Sequence, residues 1–292
     1  MKLNISVNKI VLGTVQFGLD YGINNQTGKV DLQAVEKILQ HAWKSGISIL
    51  DTSYGYGESE IIIGQIIKKH HLDFKIISKY PQNTGNVKKI FEESLLRLQT
   101  IKLYGYLVHH FSEFKNNPAL WDYFVELKMN GSIEKVGFSL YSPVELDYLL
   151  DKDILFDIVQ FPYNIFDKQF APYMTELKKR NIEIHVRSVF LQGLFFRKIE
   201  SLSPFFSPLK PYLSLLQTYC LQQGVDIEDV ALQYVLQNPY IDKVLIGVDS
   251  IVQLKKNIKA TTSNIRVVDM NVVDSILVKE KELLNPVNWK QI

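Results

Sequence analysis

Asp51, Tyr56, Lys79 and His109 supply a carboxylate, a phenol, an ammonium and an imidazole, and each lies at or just past the C-terminal end of a short apolar run. The runs are Ile47-Ser48-Ile49-Leu50, Lys75-Ile76-Ile77-Ser78 and Tyr106-Leu107-Val108. Such a set can deliver a proton to an oxygen. A phenol becomes a general acid when its pKa of about 10 is drawn toward neutrality, and a nearby cation does this by favouring phenolate. Lys79 is the candidate cation, with Asp51 pairing it to hold it charged and oriented. His109 could hydrogen-bond a carbonyl oxygen and set it against the Tyr56 hydroxyl. A site of this kind protonates an oxygen as negative charge develops on it, which is what carbonyl reduction by hydride transfer requires. Tyr54 competes with Tyr56 for the acid role and His110 with His109, although strand alternation sends the two imidazoles to opposite faces. Taken singly, a polar residue at a strand end is more often a satisfied polar group or a helix cap. The arrangement of four carries the argument.

Side chains from separate runs converge only if the runs lie side by side. Short apolar runs flanked by polar helical stretches suit buried parallel strands. The strand candidates are Ile10–Val15, Ile47–Asp51, Lys75–Lys79, Tyr104–His109, Val136–Leu140, Ile158–Tyr163, Ile182–Phe190 and Val244–Val248. Between them Asp31–Lys44 has apolar residues near a 3.6 period, and Asn86–Leu98, Pro118–Met129 and Val225–Leu236 read the same way. Ser142-Pro143-Val144-Glu145 opens another helix with a Ser cap, Pro at the first position and an acid in the first turn. About eight strand-helix units predict an α/β fold, a (β/α)8 TIM barrel forming a single domain over residues 1–292. Barrel enzymes place their chemistry at the C-terminal mouth, where the four residues would meet. A doubly wound sheet would want a Gly-rich first turn, and Gly13-Thr14-Val15-Gln16-Phe17-Gly18 is not one. Ser201–Pro211 reads as a long loop after the seventh strand, and Asn285–Trp289 as a non-helical tail.

The 292 residues suffice for one large domain, and 46% hydrophobic composition marks a globular chain. A net charge of +2, spread along the chain, gives no reason to expect nucleic acid as partner. Cys220 is the only cysteine, so no intrachain disulfide can form and a reducing compartment is expected. Met1–Ser6 lacks the apolar core of a signal peptide, and no run approaches the ~20 residues of a membrane helix. The expectation is a cytoplasmic protein with no membrane partner and no metal site. Oligomeric state is not legible.

The run Asp51-Thr52-Ser53-Tyr54-Gly55-Tyr56-Gly57-Glu58-Ser59-Glu60 resembles the DTAxxYGxSE signature of aldo-keto reductases. On that resemblance Asp51 and Tyr56 take the catalytic Asp and Tyr positions. Ser78-Lys79 is similar to the family's TK/SK strand end, and Tyr106-Leu107-Val108-His109-His110 to its LYLIHW strand, which gives Lys79 and His109. The likeness runs in order from Gly13 to about Ala260. It implies a nicotinamide dinucleotide across the strand ends, reached by Gly13 and Thr14. Gly137-Phe138-Ser139-Leu140 looks like GxSN/GxSR, with Ser139 and Gln160 holding the carboxamide. Arg187, Ser188, Leu191 and Gly193 match the loop after strand seven, and Lys198 a phosphate-binding Lys of that loop. Ile246-Gly247-Val248-Asp249-Ser250, with Gln253, Lys256 and Asn257, looks like the family's PGxxxxxQLxxN element. Physical reading agrees there: Asp249 or Ser250 caps a helix to about Ala260, and Gln253 and Asn257 share one face. The bland alternative is an ordinary amphipathic surface helix.

The departures are informative. Leu140 stands where the family often has Asn or Arg, and Arg187 where it often has an aromatic stacked on nicotinamide. A guanidinium can stack too, and it adds charge that suits an anionic or hydroxyl-rich substrate. NADP(H) is the cofactor the resemblance favours; Asp249 would repel a 2′-phosphate but accept from a ribose hydroxyl, which opens NAD(H). Against that, Lys198, Lys255 and Lys256 could supply cation. Gly13–Gly22 resembles bacterial members associated with surface-sugar pathways, so a sugar-derived carbonyl is the expected small-molecule partner. Gln16, Tyr21, His110, Asn164, Arg187 and Gln192 would form its polar rim. The tail at about 285–292 could bring Trp289 over the substrate pocket or simply pack it on the barrel. Two other functions stay open: a cofactor-sensing regulatory subunit, and a redox-neutral sugar epimerase or dehydratase.

Overall fold

The computed structural model describes residues 7–23, 25, 28–82, 85–262 and 269–289. Eight strands close into a barrel in sequence order: β1 Ile10–Gly13, β2 Ile49–Asp51, β3 Lys75–Tyr80, β4 Leu103–Val108, β5 Ile133–Ser139, β6 Ile158–Pro162, β7 Glu183–Arg187 and β8 Lys243–Gly247. Every pairing is parallel, including β1 with β8. This is the (β/α)8 barrel expected from the alternation of runs.

Alternation of side chains sorts the strand residues into two cores. Val11, Ile49, Ile77, Leu107, Ile158 and Leu245 pack in one cluster inside the barrel, while their neighbours Leu12, Leu50, Ile76, Val108, Val159 and Ile246 pack outward against the helices. The helix Leu32–Lys44 shows how the outer layer is held. It buries Val35, Ile38, Leu39 and Ala42, one stripe at helical spacing, and the Asp31 carboxylate caps it by accepting from the Gln33 and Ala34 amides. Such a cap contributes about 1 kcal/mol. Ser142 and Glu145 form a full capping box on the helix Pro143–Asp151. Inside the wall Gly137 is obligatory, because a Cβ there would lie 1.9 Å from the Ile158 carbonyl oxygen.

Several boundaries differ from the expectation. Strand β1 stops at Gly13, and Val15–Gly18 is a short helical turn instead of strand. Strand β7 stops at Arg187, not Phe190: Ser188, Leu191 and Gln192 adopt φ of 62, 46 and 52°, which no strand accommodates. Ser201–Pro211 is not an open loop. It contains 3-10 turns at Ile199–Ser201 and Pro204–Leu209 and runs into the helix Lys210–Gln223. The tail likewise forms a 3-10 turn, Pro286–Trp289. Residues 1–6 and 290–292 of the expected termini lie outside the described residues. No helix among the described residues is long and apolar enough to cross a membrane.

Candidate active site

Strand register brings the expected groups to one end. Gly13 is the partner of both Asp51 and Gly247, and Ser139 pairs with Gln160, so these strand ends stand level. Lys79 lies on β3 two residues beyond Ile77, the partner of Asp51, and so points inward beside the carboxylate. The Lys79 ammonium donates to Asp51 Oδ1 and to the Thr52 carbonyl at 2.9 Å. Both side chains are almost fully buried, at 0% and 3% exposure, so the pair can persist only because each member is satisfied. Gln160 donates to the other Asp51 oxygen at 2.9 Å. Thr14 ties the same strand end down through its hydroxyl to the Asp51 carbonyl, also at 2.9 Å.

Tyr56 sits above this pair. Its ring centre is 5.3 Å from the Lys79 nitrogen, and it meets His109 edge-on at 5.5 Å between centroids. Burial, then the Asp51 carboxylate, push the Tyr56 phenol well above its ordinary value. This departs from the expectation that Lys79 draws Tyr56 toward neutrality: burial outweighs the ammonium, and Tyr56 keeps its proton as a neutral phenol. Burial first, and then the Lys79 charge, hold His109 well below its ordinary value, so it is a neutral imidazole. Lys79 is itself lowered by burial, against the opposing pull of Asp51.

Neither competitor lines the cavity. The Tyr54 hydroxyl donates to Glu93 at 2.6 Å and its ring lies under the Arg97 guanidinium at 3.8 Å, away from the quartet. His110 starts the helix Phe111–Asn116, stacks on Tyr141 at 6.1 Å and lies beside His109 at 4.8 Å between ring centroids; the two imidazoles do not take opposite faces, because β4 ends at Val108 before them.

A cavity of about 310 Å³ opens over the quartet, within the range of small-molecule sites. Gly13, Thr14, Gln16, Tyr21, Asp51, Tyr56, His109, Ser139, Gln160, Arg187, Ser188, Gly193, Gly247, Asp249, Gln253, Lys256 and Asn257 line it, and Lys79 lies just beneath. Gln192 also lines it and donates to the Tyr21 hydroxyl at 2.7 Å, joining the loops after β1 and β7. Ser250, not Asp249, caps the helix Ile251–Ala260, accepting from the Gln253 amide.

Five expected contacts do not reach the cavity. Leu191 is fully buried in a second apolar cluster, because the left-handed turn after Ser188 rotates it inward. Lys198 is exposed at the start of the turn Ile199–Ser201. Trp289 packs in that second cluster, edge-on to Phe206 at 4.9 Å, with its indole N–H donated to the Leu283 carbonyl. His110 is the fourth. Asn164, the fifth, is buried and holds the Ser188 carbonyl rather than forming rim.

Other residues enter the site without having been singled out. Ser53 is fully buried with its hydroxyl 3.1 Å from His109 Nδ1; the only sequence signal was Ser where the signature reads Ala. Tyr141 and Phe190 line the cavity, as does Glu228, which binds Lys256 at 2.7 Å.

A profile of the Aldo/keto reductase family matches residues 9–278. The chain belongs to the aldo/keto reductase family. It is 26% identical over 251 residues to the uncharacterized oxidoreductase YqkF of Bacillus subtilis, covering 77% of this chain and 81% of that protein. It is 27% identical to L-galactose dehydrogenase of Arabidopsis thaliana, covering 77% and 76%, and 22% identical to an NADH-specific methylglyoxal reductase of Escherichia coli, covering 92% and 94%. The structure of aldo-keto reductase AKR11C1 from Bacillus halodurans has the same fold, with a TM-score of 0.72 at 21% identity over 97% of this chain and 94% of that one. Family and relatives support an oxidoreductase that uses a nicotinamide cofactor. The cavity of this family member fits such a group. The buried Gln16 Oε1 and Asp249 Oδ1 have no partner among the described residues and face the cavity that both residues line.

Proposed function

We propose that this aldo/keto reductase reduces the carbonyl of a small, hydroxylated, sugar-derived aldehyde or ketone, with Tyr56 as general acid. The observation that carries the reading is the neutral Tyr56 phenol standing between the buried Lys79–Asp51 pair and the neutral His109. His109 orients the carbonyl oxygen, Tyr56 gives it a proton, and the Lys79 ammonium, held in place by Asp51, faces the phenolate left behind. The bound dinucleotide supplies the hydride to the carbonyl carbon. Ser139 and Gln160 would hold its carboxamide, and Gln253 and Asn257 its adenine end. Gln16, Tyr21 and Gln192 supply polar groups that suit hydroxyl recognition.

Within this reading NAD(H) is the better match, although the family resemblance favours NADP(H). Lys198 stands outside the cavity, and Lys256 is engaged by Glu228 at 2.7 Å and Asp226 at 3.7 Å. The Asp249 carboxylate keeps an unpartnered oxygen suited to a ribose hydroxyl. The test is consumption of NADH with methylglyoxal and a panel of aldoses and ketoses. Turnover with hydroxylated carbonyls is expected; failure to reduce any carbonyl while the dinucleotide binds would overturn the proposal.

A further inference from the structure

The reacting end of the cavity carries a positive charge with no carboxylate in contact among the described residues; the buried Asp167 feels it only at longer range. Lys79 is balanced by Asp51. Arg187, at the end of β7, lines the same cavity, and among the described residues no carboxylate lies within 4.0 Å of it. Its guanidinium is fixed by neutral groups: one nitrogen donates to the Leu140 carbonyl at 3.0 Å, another reaches the Ser188 hydroxyl at 3.5 Å, and the carbon lies 4.1 Å above the Tyr141 ring. The stack on Tyr141 holds the plane in place without cancelling the charge. The charge is felt at the quartet, where it opposes the protonated forms of Tyr56, His109 and Lys79 alike.

Chemistry sets where the nicotinamide ring must lie. A hydride donor has to come within roughly 3–3.5 Å of the carbon whose oxygen faces Tyr56. The ring therefore shares this end of the cavity with Arg187. Reduced nicotinamide is neutral and oxidised nicotinamide carries one positive charge. In a partly desolvated cavity a like charge on the same wall opposes the oxidised form and leaves the reduced form nearly untouched.

We propose that the Arg187 charge, with no carboxylate in contact, makes this site bind the reduced dinucleotide in preference to the oxidised one, and so favours loading of the hydride donor and release of the spent cofactor. The inference rests on the functional reading above. During hydride transfer the same charge favours the negative charge developing on the substrate oxygen and opposes the positive charge developing on the ring, so the binding ratio, not the rate, reports the effect cleanly.

The experiment is a fluorescence titration of the whole protein with NADH and NAD+, and with NADPH and NADP+, in the wild type, Arg187→Met and Arg187→Lys. For the pair that binds more tightly, the Kd ratio of oxidised to reduced form should fall roughly tenfold in Arg187→Met. Arg187→Lys loses the fork to Leu140 and Ser188 but keeps the charge, and should hold the ratio near the wild-type value. An unchanged ratio in Arg187→Met, with both forms bound, overturns the inference while leaving the reductase reading intact. A ratio that falls equally in Arg187→Lys also overturns it, since shape and not charge would then be responsible. Failure of the wild type to bind any of the four dinucleotides would remove the reductase reading and this inference together.

Discussion

His109 Nδ1 lies 3.1 Å from the Ser53 hydroxyl oxygen, which also receives the Gly55 N–H at 3.2 Å. The hydroxyl hydrogen has two acceptors in reach, Nδ1 and the Lys79 carbonyl at 3.4 Å, and we assign it to Nδ1, the nearer of the two. The neutral imidazole must then carry its hydrogen on Nε2, the tautomer that can donate to a substrate oxygen. In Ser53→Ala this bias is lost. Activity should fall about tenfold, the scale of one hydrogen bond, and the 15N signals of His109 should shift toward a tautomer mixture. A His109 spectrum identical in the two proteins would show that Ser53 only packs.

The pH dependence follows from the directions at Tyr56 and His109. Burial keeps Tyr56 protonated and His109 neutral, so kcat/KM should be flat from about pH 6.5 to about 9. The stability signs differ at the two ends. Folded His109 titrates below its unfolded value, so below about pH 6.5 the unfolded chain binds more protons and this contribution is lost as pH falls. Folded Tyr56 titrates above its unfolded value, so its contribution is lost as pH rises above about 10. Urea midpoints across pH 5–11 measure both; an acid limb in kcat/KM centred near pH 6.5 would contradict the neutral His109.

Breaking the buried pair should cost stability as well as rate. Lys79→Met strands the Asp51 carboxylate with Gln160 as its remaining side-chain partner, a loss of about 3–5 kcal/mol. The double variant Lys79→Met/Asp51→Asn should recover a large part of that loss, because no uncompensated buried charge remains. Urea denaturation of the single and double variants decides it, and additive losses would mean that the pair is not coupled.

Cofactor choice should be governed by the acidic groups near Lys256. Glu228→Gln frees the Lys256 ammonium from its shortest partner and removes a negative charge from the cavity wall. Affinity for NADPH should rise roughly tenfold with little change for NADH. Isothermal titration with both cofactors measures this, and equal changes for the two would place Glu228 away from the selecting end.

The barrel and the quartet were legible because both depend on local pattern. Apolar runs with helical stripes between them fix a parallel sheet, and strand parity aims Asp51 and Lys79 inward. Loop residues were less legible. The positions of Leu191 and Lys198 depend on the left-handed backbone at Ser188, Leu191 and Gln192, which no residue type there announces except Gly193. Trp289 depends on a distant partner, Phe206, and Lys256 on Glu228. The Tyr56 pKa was misread because a sequence shows that a lysine and a carboxylate are near but not how deeply the phenol is buried among them.

In the proposed reaction Tyr56 donates a proton to a carbonyl that receives hydride from bound nicotinamide. The most direct measurement is transfer of deuterium from C4-labelled NADH to a hydroxylated aldehyde, followed by mass spectrometry in the wild type and in Tyr56→Phe. The wild type should give alcohol labelled at the former carbonyl carbon. Tyr56→Phe should bind NADH with similar affinity and transfer label at least about a hundredfold more slowly. Label transfer at an undiminished rate in Tyr56→Phe would contradict the account.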